Sequence, residues 1–153
     1  MKAVIQRVTR ASVEVEGRRV SAIGGGLLVL LGVAKGDADG DCRFMVHKLR
    51  GLRIFADEAG NMNRSLADVG GAILLVSQFT LLANTKSGRR PGFEEAAPPD
   101  EAKRWYEQVS VALIAQGTAV ETGIFAAHMK VELVNDGPVT FLLDSRNGIS
   151  AGS

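Results

Sequence analysis

The run Leu27-Leu28-Val29-Leu30-Leu31-Gly32-Val33 has no polar position, so as a strand it presents apolar side chains to both faces and must be covered on both. Gly24-Gly25-Gly26 breaks the chain in front of it, and with Gly32 inside it the run is far too short to span a bilayer. The segments around it are strand-like too. Residues 2–16 alternate, turn at Gly17-Arg18-Arg19 and return through Val20 to Ile23. Arg53-Ile54-Phe55 reads as a short strand, Ala72 to Leu82 as a central one, and residues 127–134 and 138–144 as two final strands. Apolar residues at helical spacing predict a helix from about Asp41 to Leu52. A second is expected from an Asp100 cap to Gln116, with Ala102, Trp105, Tyr106, Val109, Leu113 and Gln116 on one face and Gly117 as its stop. Residues 61–71 and 84–99 read as loops. The expected fold is α+β: a mainly antiparallel, barrel-like sheet with two outer helices.

The 153 residues are long enough for one domain with a real core, and 46% apolar with 23% charged residues is ordinary for a globular chain. Residues 143–153 allow a flexible tail on that domain. A formal charge of +1 excludes the basic field needed to grip duplex nucleic acid along its length, but permits contact with a few phosphates. The lone Cys42 fits a reducing compartment, and the start, Met1 to Arg7, is too polar for a signal peptide. The expectation is a cytoplasmic protein.

Several familiar motifs fail. Gly24-Gly25-Gly26 lacks phosphate-loop spacing and leads into a strand. Asp37-x-Asp39-x-Asp41 begins like a calcium loop but continues with Cys42, and Lys48 stands where a bidentate carboxylate is needed. Cys42 and His47 lie on different helix faces, and with only His128 besides, a zinc site is not expected. There is no G-x-S-x-G elbow for a serine hydrolase. His47 reads as a helix surface residue and His128 as a structural or rim residue.

Two segments stand out. Asn135-Asp136-Gly137-Pro138-Val139-Thr140 interrupts an apolar stretch with a Gly-Pro step, which removes a donor, fixes one φ and occurs where cis peptides are found. Such a turn can aim carbonyl oxygens outward as a rigid rim. Ser77-Gln78-Phe79-Thr80 ends a strong strand with polar groups suited to the same site, although Thr80 alone would be explained by strand packing. Arg89-Arg90, beside Pro91 and Phe93, is most simply a solvated loop that could meet phosphates. Arg18-Arg19 is most simply a solvated turn, and Arg7 a strand charge on the surface.

Together these segments resemble the D-aminoacyl-tRNA deacylase family over nearly the whole chain. The resemblance rests on MKAVIQRVTRASVEV at the start, GLLVLLGV from Gly26, Leu52-Arg53-Ile54-Phe55, Met62-Asn63, Arg90-Pro91, Phe93 and Phe125 to Met129. Above all it rests on the Ser77–Leu81 and Asn135–Thr140 signatures in the right order. The resemblance implies hydrolysis of the ester of a D-amino acid, or of glycine, at the 3′ end of tRNA, with no metal or organic cofactor. It implies a homodimer whose sites are completed across the interface, Gly137 and Pro138 with a cis bond entering the partner's pocket. There their carbonyls would fill the space an L side chain needs. Arg7 would fix that turn, in the company of Asn135 and Thr140. Ser77, Gln78, Phe79 and Thr80 would form the catalytic segment, with Gln78, Phe79, Met129, Arg89 and Arg90 meeting the terminal adenosine or the tRNA.

Two mechanisms remain open: attack by Thr80 Oγ, or hydrolysis assisted by the ribose 2′-hydroxyl with main-chain donors from Ser77–Thr80. The resemblance and the lack of acid–base residues favour the second. A non-catalytic module for RNA or DNA ends and a small-molecule ester or amide hydrolase are the competing functions.

Overall fold

A computed structural model describes residues 1–148 of the chain. Strand β1 (Lys2–Val15) organises the sheet. One edge of it pairs antiparallel with β2 (Arg18–Ile23) through residues 11–15 and with β3 (Gly26–Gly32) through residues 2–8. The sheet continues in parallel from β3 to β6 (Ala72–Ser77) and from β6 to β7 (Ala119–Thr122). On its other edge β1 carries β8 (Lys130–Asp144), antiparallel along nearly its whole length. The sheet curls until β2 lies against β6 and β7, which gives an almost closed barrel.

The fold is α+β with a barrel-like sheet, as the sequence predicts, although two of its pairings are parallel. Alternation along the strands separates two cores. Ile5, Leu27, Val29, Leu31, Ile73 and Leu75 face α1 (Asp39–Gly51) and α3 (Pro99–Ala115) on the outside. Val8, Val13, Ile23, Leu28, Leu74 and Val76 fill the barrel. The apolar run around Val29 is therefore buried on both faces. Each such Leu or Ile withdrawn from water contributes about 2 kcal/mol. Tyr106 of α3 donates its hydroxyl to Leu75 O at 2.8 Å. Burial, augmented by Glu107 and opposed by a bond with Thr122, pushes its pKa up to about 12, so it stays a donor at neutral pH.

Several expectations change. Arg18 and Arg19 belong to β2 and pair with Val15 and Glu14, so the turn is tighter than the sequence suggests. Residues 61–71 are more than loop: β5 (Met62–Ser65) pairs with β4 (Arg53–Ala56) and runs into the short α2 (Leu66–Val69). The Ser65 hydroxyl accepts from Asp68 N at 3.1 Å while Ser65 N donates to Asp68 Oδ2 at 2.8 Å, a reciprocal cap that starts this helix. The central strand ends at Ser77, and Phe79–Leu82 forms a one-turn 3-10 helix. Pro98, with Pro99 behind it, caps α3, leaving Asp100 in the first turn. Gln116 is exposed and bonds Arg50, off the buried face. The two final strands are one element, β8, broken in register at the Gly-Pro motif. Leu143 and Asp144 complete that strand, and Ser145–Gly148 form a helical turn, α4, with Ser145 buried. These residues are thus no tail; 149–153 lie outside the described residues.

The α-amino group of Met1 closes the sheet's start onto the helices. It lies 2.7 Å from Asp37 Oδ2 and donates to Ser145 Oγ at 2.7 Å, with side-chain exposures of 0% for Met1 and 1% for Asp37. Asp37 Oδ2 also accepts from Ala34 N at 2.7 Å. Asp41 accepts from Ser145 Oγ and, at 2.9 Å, from Ala38 N at the head of α1. Desolvation raises the pKa of Asp41, but these bonds and the Met1 and Arg146 charges outweigh it and hold it below the ordinary 3.8. Its stabilising contribution is thus present above 3.8 and lost as pH falls through the lower folded value.

Removing one member of a buried ion pair strands the other. Asp37→Asn is expected to lower stability by about 3 kcal/mol, read as a lower urea midpoint at unchanged m. A midpoint equal to that of the parent protein would show that the pair contributes nothing.

Candidate active site

Parallel pairing sets the ends of three strands side by side, so the segments that follow them converge. Val33–Lys35 leaves β3, Ser77–Phe79 leaves β6, and Phe125–Met129 follows β7. With Pro98, Pro99 and Ala102 at the head of α3, these segments line a cleft of about 630 Å³. Crevices beyond the carboxyl ends of parallel strands are common binding sites. The walls are mostly apolar: Val76, Phe79, Phe93, Phe125, Met129 and Val131. Phe79 and Phe93 meet edge to face, with centroids 5.0 Å apart, and Phe79 remains 54% exposed. The titratable lining groups are Lys35 and His128, both exposed.

The turn out of β6 is fixed by main-chain bonds. Gln78 N donates to Leu31 O at 2.8 Å, and Leu81 N to Gln78 O at 3.2 Å. Gly32 permits this approach: a Cβ there would lie 2.9 Å from Gln78 O and 2.5 Å from Leu82 Cδ2. The Gln78 amide side chain donates to Thr80 Oγ1. Gln78 N–H is therefore engaged. Phe79 and Thr80 are the first residues of the 3-10 helix, and their N–H groups have no acceptor within it. Thr80 is exposed and outside the cleft lining, and among the described residues no acidic or basic side chain bonds its hydroxyl.

A second cluster forms where β8 crosses β1. Gln6 pairs with Thr140 and Val8 with Asn135, so Arg7 alone stands opposite residues 136–139. The extra residues bulge outward, and Gly137–Pro138 is a cis peptide. Gly137 has φ 144°, a region other residues avoid, and a Cβ there would meet Val139 N at 2.8 Å. Asn135 Oδ1 accepts from Val139 N at 2.8 Å, and its amide donates to Thr140 Oγ1 at 2.9 Å. Arg7 Nε donates to Asp136 O at 2.9 Å and Nη1 to Ile54 O at 2.7 Å, tying the bulge to β4. Gly137 and Pro138 themselves are exposed.

The structure thus groups the sequence-derived residues in two places. Ser77, Gln78, Phe79 and Met129 share the cleft, whereas Arg7, Asn135, Gly137, Pro138 and Thr140 share the bulge. Gly137 and Pro138 do not line the cleft of their own chain. Arg89 and Arg90 lie outside it too, on an exposed loop closed by paired bonds between Asn84 and Gly92. Sequence reasoning missed Lys35, Val33 and the Ala96–Pro99 wall. Their signal is topological: they follow or abut parallel strands whose pairing was not anticipated.

The family model for D-Tyr-tRNA(Tyr) deacylase matches residues 4–144. The D-aminoacyl-tRNA deacylase of Anaeromyxobacter dehalogenans (strain 2CP-C) is 59% identical over 146 residues, 95% of this chain and 98% of the relative. That of Geobacter sulfurreducens (strain ATCC 51573 / DSM 12127 / PCA) is 57% identical over 151 residues, 99% of both. Among solved structures, the c-Myc DNA Unwinding Element Binding Protein superposes with a TM-score of 0.90 at 43% identity, covering 94% of this chain and 98% of that one. A probable eukaryotic D-amino acid tRNA deacylase has a TM-score of 0.77 at 18% identity, over 93% and 97% of the chains, and shares the fold. With both signature segments placed and the match running nearly end to end, the chain belongs to the D-Tyr-tRNA(Tyr) deacylase family.

Proposed function

We propose that this protein hydrolyses the ester joining a D-amino acid to the 3′-terminal adenosine of tRNA, releasing the free amino acid and the tRNA. The observation that carries this reading is the full-length match to deacylases, whose two signature segments here form a cleft and a clamped turn. Charged tRNA as substrate places the work in the cytoplasm. The aromatic cleft suits the terminal adenosine, since RNA ends are commonly held by stacking and by contacts to the 2′-hydroxyl. Gln78 contributes polar contacts, while Phe79 and Met129 supply packing surface.

Selection of handedness falls to Gly137 and Pro138 of a second copy. Their carbonyls occupy the space into which an L side chain would project, and a D residue turns its side chain away from that wall. Glycine passes because it has none. This reading is supported by a turn that is exposed yet fastened by Arg7 and Asn135, and that cannot serve the cleft of its own chain. Leu142 is 78% exposed on the same strand, and an apolar side chain so placed suits coverage by a second copy.

The chemistry is positional. Water attacks the ester carbonyl with help from the ribose 2′-hydroxyl, and the free N–H groups of Phe79 and Thr80 receive the developing oxyanion. Losing one such donor costs about 3 kcal/mol in other enzymes. Thr80 is a poor nucleophile here, because its hydroxyl already accepts from Gln78 and has no base beside it. One solved relative is named for binding a DNA element, which favours a nucleic-acid-binding module as the second reading.

D-Tyr-tRNA is expected to be hydrolysed and L-Tyr-tRNA to be spared; a binder would protect both and cleave neither. Cleavage of free aminoacyl esters at comparable rates, or indifference to a 2′-deoxy terminal ribose, would instead indicate a small-molecule esterase. Thr80→Ala should retain its rate on D-Tyr-tRNA within about tenfold, measured by single-turnover kinetics. A loss of about a thousandfold with fold and binding intact would make Thr80 the nucleophile.

A further inference from the structure

We propose that Lys35 holds the phosphate joining the terminal adenosine to the preceding nucleotide, so that the cleft binds a nucleotide and not only a nucleoside. This rests on the reading of the cleft as the adenosine pocket. The cleft walls are apolar and aromatic, and Lys35 is the one Lys or Arg that lines it among the described residues. An apolar, aromatic cleft with one exposed lysine in its lining matches the chemistry of one base carrying one phosphodiester charge.

The main chain of Lys35 is fixed from both sides. Its amide donates to Glu95 O at 2.9 Å, and its carbonyl accepts from Arg146 Nη2. Lys35 thus stands on anchored main chain just beyond β3 and shares the cleft lining with the Ser77–Phe79 segment that leaves β6. Glu95, whose backbone carbonyl takes the Lys35 amide, has its carboxylate 3.7 Å from Arg146, Asp37 pairs with the Met1 amino group, and among the described residues Lys35 forms no ion pair. An exposed lysine in the lining of an apolar cleft, with no ion pair among the described residues, is free to take a phosphate. Arg89 and Arg90 lie outside the lining and do not compete for this position.

The test compares adenosine with adenosine 5′-(methyl phosphate), a diester bearing one charge, as inhibitors of D-Tyr-tRNA hydrolysis. The parent protein should bind the phosphate about fivefold more tightly than adenosine, as expected for one exposed charge-assisted contact. In Lys35→Met that preference should vanish while adenosine binds unchanged, and Lys35→Arg should restore it. On D-Tyr-tRNA, Lys35→Met should raise KM about fivefold at constant kcat, and the salt slope of log affinity should fall by about 0.7. A preference that survives in Lys35→Met overturns the assignment. So does failure of both compounds to inhibit a parent protein that cleaves D-Tyr-tRNA, since the adenosine then lies elsewhere. Absence of cleavage by the parent protein would instead sink the proposed function itself.

Discussion

The parallel alignment of β3, β6 and β7 is the constraint on which the rest of the structure depends. Parallel strands end on the same side, so their trailing segments must meet there, and in this chain those segments carry Lys35, Ser77–Phe79 and Phe125–Met129. Had β6 run antiparallel to β3, Ser77 and Lys35 would lie at opposite ends of the sheet. The arrangement needs a strand that can be buried on both faces, because α1 and α3 cover one side and the barrel interior the other. Leu27–Leu31 meets that demand with no polar residue. It also needs close backbone approach at the exit, which Gly32 permits and Gln78 N to Leu31 O fixes.

Much of this was legible in the sequence, and what was missed shares a cause. Alternation located β1 and, as two separate strands, the arms of β8, the long apolar run located β3, and helical spacing located α1 and α3, because each pattern extends over several residues. The 3-10 helix was invisible, since Phe79-Thr80-Leu81-Leu82 continues the apolar, β-branched character of the strand before it and only a tertiary bond to Leu31 turns the chain. β7, at four residues, is too short to show a period. The Ser65–Asp68 cap was present as a spacing but sat among glycines and polar residues that suggested loop. Strand pairing is a property of distant partners, and local pattern is silent about it. For the same reason, Arg89-Arg90 drew attention as a charge cluster while Lys35, a single cation outside any motif, did not.

The bulge shows a different kind of legibility. Gly137-Pro138 announces itself locally because proline cannot serve a ladder, yet what holds the turn outward comes from afar. Arg7 is separated from Asp136 by most of the chain, and Asn135 closes the turn through Val139 N and Thr140 Oγ1. One β1 residue standing opposite four β8 residues would be costly if their backbone groups were left without partners. Side chains take up part of that duty, so an irregular segment becomes a defined shape.

The composition of the cleft also limits what chemistry it can support. Among the described residues its only lining groups that titrate are Lys35 and His128, both exposed and neither bonded to Thr80. Triad logic requires a nucleophile, a base within hydrogen-bond reach and a third group to orient the base, and among the described residues Thr80 Oγ1 meets only the Gln78 amide. What the cleft and the turn beside it do supply is fixed main chain: a pinned Gln78, the N–H groups of Phe79 in the lining and Thr80 next to it, and mostly apolar walls. Preorganised donors cost no reorganisation at the moment charge develops, which is the kind of chemistry that fixed main-chain groups can support. A site of this kind works through placement, so the binding of its substrate and the geometry of its main chain count for more than any single reactive side chain.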